Sequence, residues 1–207
     1  PPMAPAGGEP VLRLTPMSPR VTAILVVHHG GERLTRVLDA IRAQSRRPER
    51  LLIVLAQVNA ETRDLAAEAA PDGLIQIEER VAFGEAVRRA EQTLPPPVDD
   101  EDAVWLLSED TEPQPGALLA LETNLETARS VAIAGPKLLD AEAPDRIASL
   151  GRSMTRFGAA VPLVSGELDQ GQHDGLSDVL GVDPGGILVR RAVWRSLDGF
   201  DPALSPR

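Results

Sequence analysis

From Val21 to Ala134, short apolar runs alternate with segments of helical periodicity, and this alternation limits the fold more than any other feature. Val21-Thr-Ala-Ile-Leu-Val-Val27 is a β-branched run that ends at His28-His29-Gly30-Gly31, which reads as a buried strand followed by a glycine turn. Leu34, Val37, Leu38 and Ile41 then repeat at helical spacing, and the helix is expected to end near Arg46 and Pro48. Further strands are expected over 51–55, 73–77, 103–107 and 131–134, with helices over 61–70, 83–94 and 116–129 between them. Such runs, apolar on both faces, belong to a parallel sheet covered by helices on either side. After Pro136 the pattern changes. Strands are expected over 147–152, 155–161 and 179–190, and a short helix over 192–197. The expected architecture is an α/β/α sandwich of Rossmann type with a mostly parallel central sheet and a mixed C-terminal part. Residues 1–19 read as a disordered lead-in, 20–135 as a nucleotide-binding half, and 136–207 as a second half that completes the same sheet.

The run Val104-Trp-Leu-Leu-Ser-Glu-Asp-Thr-Glu-Pro113 points to chemistry. A buried strand delivers Glu109 and Asp110 to its carboxyl end, the edge at which parallel α/β sheets bind ligands. Carboxylates placed there can hold Mg²⁺ or Mn²⁺, with a diphosphate completing the shell. The same residues also suit a solvated acidic turn that leads into the next helix.

Composition removes several classes. The chain has no cysteine, so disulfides, thiolate metal sites and cysteine nucleophiles are excluded. Its net charge of −10 argues against a nucleic-acid binder. No apolar run is long enough to span a membrane. A dinucleotide oxidoreductase fits poorly, because the first turn lacks Gly-x-Gly-x-x-Gly and no acid follows the second strand.

Taken in order, several segments resemble the family 2 glycosyltransferases of the GT-A fold. The main ones are Leu106 to Pro113 and Gly181-Val-Asp-Pro-Gly-Gly-Ile-Leu-Val-Arg-Arg191, which runs on to Val193-Trp194 and Gly199-Phe200-Asp201. Val26 to Leu34, Gln44 to Pro48 and Val81 to Ala86 support it. Glu167-Leu-Asp-Gln-Gly-Gln-His-Asp-Gly175 is similar to an actinobacterial branch of rhamnosyl- and galactofuranosyltransferases. The resemblance implies metal-assisted, inverting transfer of a sugar from a UDP- or dTDP-sugar to a cell-envelope glycan or lipid-linked acceptor. The implied location is cytoplasmic, at the inner face of the plasma membrane, and a longer protein would be membrane-associated. It implies Asp110 as ligand to Mg²⁺ or Mn²⁺, with Glu109 beside it. His28, His29, Gly30, Arg80, Gly84, Arg88, Gly185 and Gly186 would line the donor, and His173 would meet the acceptor. Each also has an ordinary reading: strand turns for the glycines, solvated charges for Arg80 and Arg88, a solvent-facing ring for His173.

Three departures oppose an active enzyme. Ala56 replaces the Asp that ends the second strand in the family, and a methyl group accepts no hydrogen bond. Val58 replaces a loop glycine, and Arg88 stands where Asn is frequent. The family's catalytic base is expected beyond Arg207. The alternative is a degenerate transferase fold that serves as a binding or scaffolding module.

Overall fold

A computed structural model describes residues 20–97, 102–176 and 178–201. The lead-in expected over 1–19 lies outside them. Five helices and nine strands are described: β1 Val21–Val27, α1 Glu32–Arg42, β2 Arg50–Ala56, α2 Ala60–Glu68, β3 Gly73–Ile77, α3 Phe83–Thr93, β4 Ala103–Ser108, α4 Ala117–Glu126, β5 Ile133–Ala134, β6 Leu138–Leu139, β7 Ile147–Met154, β8 Ala160–Val164, β9 Leu188–Arg190 and α5 Arg191–Ser196.

The main sheet has the order β3-β2-β1-β4-β9-β5. Its first four strands are parallel, and β9 lies antiparallel between β4 and β5. Alternating side chains of β1 and β4 serve two cores. Ala23, Leu25, Trp105 and Leu107 pack with Leu34, Val37 and Leu38 of α1 and with Leu118, Leu121 and Leu125 of α4. Ile24, Val26, Val104 and Leu106 pack on the other face with Ala86, Val87 and Ala90 of α3 and Trp194 of α5. The sandwich is thus the expected one. The central strands β1 and β4 are buried on both faces because the crossover connections lay helices on both.

The C-terminal part differs from the expected single sheet. Only β9 returns to the main sheet, while β6, β7 and β8 form a separate three-stranded antiparallel sheet. The strand expected over 155–161 begins at Ala160, because residues 155–159 make the turn of the β7–β8 hairpin. The strand expected over 179–190 is reduced to three residues, because Gly186 takes a φ of 88°. Extended backbone cannot continue through that left-handed conformation.

Candidate functional site

The carboxyl ends of β1 and β4 meet through one side chain. Val26 pairs with Ser108 across the two strands, so the residues just beyond them are neighbours in space. Glu109 turns back from the end of β4, and its carboxylate is almost fully buried. It accepts the amides of His28 at 3.1 Å, His29 at 2.8 Å and Gly30 at 2.6 Å. His29 Nδ1 lies 2.9 Å from the same carboxylate. Burial pushes the Glu109 carboxyl up, but the Gly30 amide, the His29 ring and the His28 and His29 amides together outweigh it and hold the group below its usual value of 4.5. Glu109 is therefore a fastener of the first turn, and its oxygens are engaged there rather than turned toward a metal.

The turn is braced from two further sides. His28 Nε2 lies 3.0 Å from the carbonyl of Val81, which ties in the loop before α3. Gly30 has a φ of 78°, and a Cβ there would lie 2.2 Å from Thr62 Oγ1 on α2. The glycine is thus required twice, by its backbone and by the helix resting on it. Asn59 caps that helix by accepting the Thr62 amide at 2.8 Å.

Asp110 differs from Glu109 in being exposed, and its Oδ1 accepts a hydrogen bond from Ser108 Oγ. Gly185, in the turn before β9, approaches this loop. A Cβ on Gly185 would sit 3.4 Å from Thr111 Cγ2 and 3.9 Å from Ser108 Oγ. Trp105 Nε1 donates to the Gly186 carbonyl at 3.1 Å, and the Gly186 amide donates to Leu106 at 2.7 Å, which fixes this approach. The turn at 28–31, the loop at 108–111 and Gly185-Gly186 are therefore brought together.

The remaining predicted residues are placed differently. Gly84 faces Phe200, whose Cβ would lie 2.8 Å from an added Cβ, so its small size serves the packing of α3. Arg88 makes a two-pronged contact with Glu85 at 2.6 and 2.8 Å, nearly one turn back on its own helix. Arg80 is exposed in the loop that His28 latches. His173 lies in the loop before β9, with Nε2 2.9 Å from Glu167. Lys137 holds this loop through Asp169 at 2.7 Å and Asp174 at 2.8 Å.

Several residues that shape the site lie in segments that carry the resemblance but receive no role from it. Gln44, nearly fully buried, donates to the carbonyls of Pro113 (3.2 Å) and Gln114 (2.8 Å) and accepts the Leu118 amide at 3.1 Å. It thereby clamps the loop that follows Asp110. A polar pocket at the carboxyl ends of β2 and β3 is lined by Gln57, Asn59, Arg63, Gln76 and Glu78, among others. Gln57 sits there with a φ of 55°, an unusual conformation for a side chain of this size. Asp183 accepts from Arg152 and Ser149. Only Gln57, directly after the strand end, carried a local signal. The others are recognisable only by what folding brings beside them.

The residues present can accept a divalent ion in one limited way. No group of three His, Asp or Glu suited to a metal occurs among the described residues. At the loop edge Glu109 is taken up by backbone amides and Glu112 pairs with Arg36 at 2.7 Å, which leaves Asp110 exposed with Ser108 Oγ as its hydrogen-bond partner. A hard cation held by one carboxylate draws its other ligands from phosphate and water. The site therefore fits a metal that arrives with a diphosphate, not one held by the protein alone.

No family model matches the sequence, and no curated protein matches it either. Solved structures do resemble the fold. A mannosyltransferase from Pyrobaculum calidifontis, determined with GDP-Man and Mn²⁺, has a TM-score of 0.61 at 14% identity over 90% of this chain and 49% of its own. TarS 1–349 from S. aureus has a TM-score of 0.58 at 12% identity over 90% of this chain and 52% of its own. A 4-diphosphocytidyl-2C-methyl-D-erythritol synthase reaches 0.50 at 14% identity, covering 90% of this chain and 83% of its own. The chain spans about half the length of the first two.

Proposed function

The chain has the GT-A fold of glycosyltransferases, and from that premise we propose that it forms the donor-binding part of a nucleotide-sugar-dependent glycosyltransferase. The observation that carries this reading is the convergence of a braced glycine turn, an exposed Asp110 and a close-approaching Gly185-Gly186 at the carboxyl edge of a parallel sheet. In this reading the diphosphate of a UDP- or dTDP-sugar lies over the 108–111 loop. Asp110 holds Mg²⁺ or Mn²⁺ against it, and the metal neutralises charge on the leaving diphosphate. The nucleoside takes the pocket at Gln57, Asn59, Arg63 and Glu78, where side-chain amides and charges replace the hydrogen-bond acceptor that Ala56 cannot offer. Gly185 lets the backbone of the turn before β9 come near the sugar, because a side chain would fill the space beside Ser108 and Thr111. Transfer would invert the anomeric carbon and would deliver the sugar to a cell-envelope glycan or a lipid-linked acceptor met near His173. The protein would work at the inner face of the plasma membrane, in an actinobacterial setting.

Calorimetric titration with UDP, dTDP and GDP, each with and without Mn²⁺, tests the proposal. Metal-dependent binding of one of the three is expected, together with no measurable Mn²⁺ binding in the absence of nucleotide. A folded protein that binds none of them sinks it. That result would favour the second reading, a binding or scaffolding module. The observation behind the second reading is Ala56, which is buried at the strand end where the family places a carboxylate.

A further inference from the structure

In a chain of net charge −10, residues 146–166 contain three arginines and neither Asp nor Glu. They contain the whole β7–β8 hairpin, which belongs to the three-stranded sheet and not to the main one. Its turn is well defined. The Thr155 amide donates to the Ala159 carbonyl at 2.9 Å, the Gly158 amide donates to the Thr155 carbonyl at 2.9 Å, and Gly158 takes the positive φ that a three-residue turn needs. This turn presents Arg156 and Phe157 at the tip, with the guanidinium 4.5 Å from the ring centre. Phe157 is 82% exposed and Met154 56%. Leu163 and Val161 of β8 are exposed as well. Arg152 is neutralised by Asp183, whereas Arg146 donates to the Gly166 carbonyl and Arg156 makes no carboxylate contact among the described residues.

We propose that the tip of this hairpin docks on an anionic lipid surface. An aromatic ring beside a guanidinium, flanked by Met and Leu and free of acids, suits the boundary between acyl chains and negatively charged headgroups. Charge complementarity selects that occupant. The hairpin tip is cationic and apolar in a protein of net charge −10, and the remaining negative charge favours an orientation with the hairpin down. Strand addition by a second copy is disfavoured, because Pro162 in the middle of β8 has no amide hydrogen to donate. The inference stands on the hairpin alone and does not require the transferase reading.

Co-sedimentation of the 207-residue chain with vesicles of phosphatidylglycerol, and separately of phosphatidylcholine, tests it. Binding to phosphatidylglycerol only, weakened by salt, is expected. Phe157→Ser should remove most of the binding. Arg156→Gln should weaken it about fivefold, from about 1 kcal/mol per basic side chain at an anionic surface. Both side chains lie outside the core, so neither change should move the melting temperature, and nucleotide titrations should be unaffected. The proposal is overturned if neither vesicle binds, or if binding survives both substitutions. It is also overturned if Phe157→Ser instead abolishes a concentration-dependent dimer in sedimentation velocity, which would assign the patch to a second copy.

Discussion

A buried carboxylate surrounded by backbone amides works only while it is ionised, and Glu109 is such a group. Replacing it with Ala leaves three amides without their acceptor. At roughly 1–3 kcal/mol for an unpaired buried group, partly relieved by water, the expected loss is about 3 kcal/mol of stability in urea unfolding. The pH dependence has a definite sign. The folded protein holds this carboxyl below 4.5, so its contribution is complete above that value and disappears as pH falls through the lower folded one. Glu109→Gln should flatten this acid limb relative to the parent protein. Glu122 runs the other way. Burial raises it against the pull of Arg46, so its contribution is complete below 4.5 and is lost as pH rises through the higher folded value. The comparison of parent with variant isolates Glu109, because Glu122 is common to both. Asp110 is exposed and makes no such network, so Asp110→Ala should leave the melting temperature nearly unchanged while abolishing Mn²⁺-dependent nucleotide binding. At Ala56, an added carboxylate that reaches a nucleoside would contribute about 1.5–3 kcal/mol. Ala56→Asp should therefore strengthen nucleotide binding roughly ten- to a hundred-fold in titration. Unchanged affinity in a folded variant would show that the pocket residues already make the contact.

At the scale of elements, the site is held by helices that reach across to loops of other strands. The first turn of α2 rests on Gly30, and Gln44, just past α1, clamps the loop before α4. Gly30→Ala adds a clash with Thr62 and forces an L-residue to a φ of 78°. Left-handed backbone costs about 1–2 kcal/mol for a residue with a Cβ, and the clash adds to it. Thr62→Ala in the same chain should recover the steric part and leave the backbone part, which thermal unfolding of the single and double variants would separate. Gln44→Leu keeps the volume but leaves the Pro113 carbonyl and the Leu118 amide without this partner, while the Gln114 carbonyl keeps the Ala117 amide. A loss of about 2–4 kcal/mol is expected. Amide exchange should quicken at Leu118, whose hydrogen goes to Gln44. If Leu118 stays protected, the clamp is dispensable.

At the scale of the molecule, two sheets have separate tasks. The six-stranded sheet carries the turn, the acid loop and the polar pocket along one edge, and its residues fill two continuous cores. The three-stranded sheet is thinly covered. Four of the five residues of β8 are exposed, and Lys137 and Asp183 tie its neighbourhood to the loops before β9. Local opening free energy follows burial. Hydrogen exchange should therefore be slowest in β1 and β4 and clearly faster in β7 and β8, with the same order kept in Asp110→Ala.

The strand-helix alternation up to Ala134 was legible because a strand buried on both faces needs a continuous apolar run, and such runs stand out between amphipathic helices. The acid loop after β4 and the glycine turn after β1 were legible for the same reason: both follow directly from a strand end. Residues such as Asp183 and Gln44 show where local reading stops. A lone polar residue carries no mark of the partner that satisfies it thirty or seventy positions away. Glu109 and Asp110 show it most sharply. They are adjacent acids in the same loop, and in sequence they look alike. Parallel pairing of β1 with β4 places three amides within reach of one carboxylate and none within reach of the other. Composition and periodicity determined that this chain forms a covered parallel sheet with an acidic edge. Which acid braces the edge, and which stays exposed there, was decided by distances that exist only after folding.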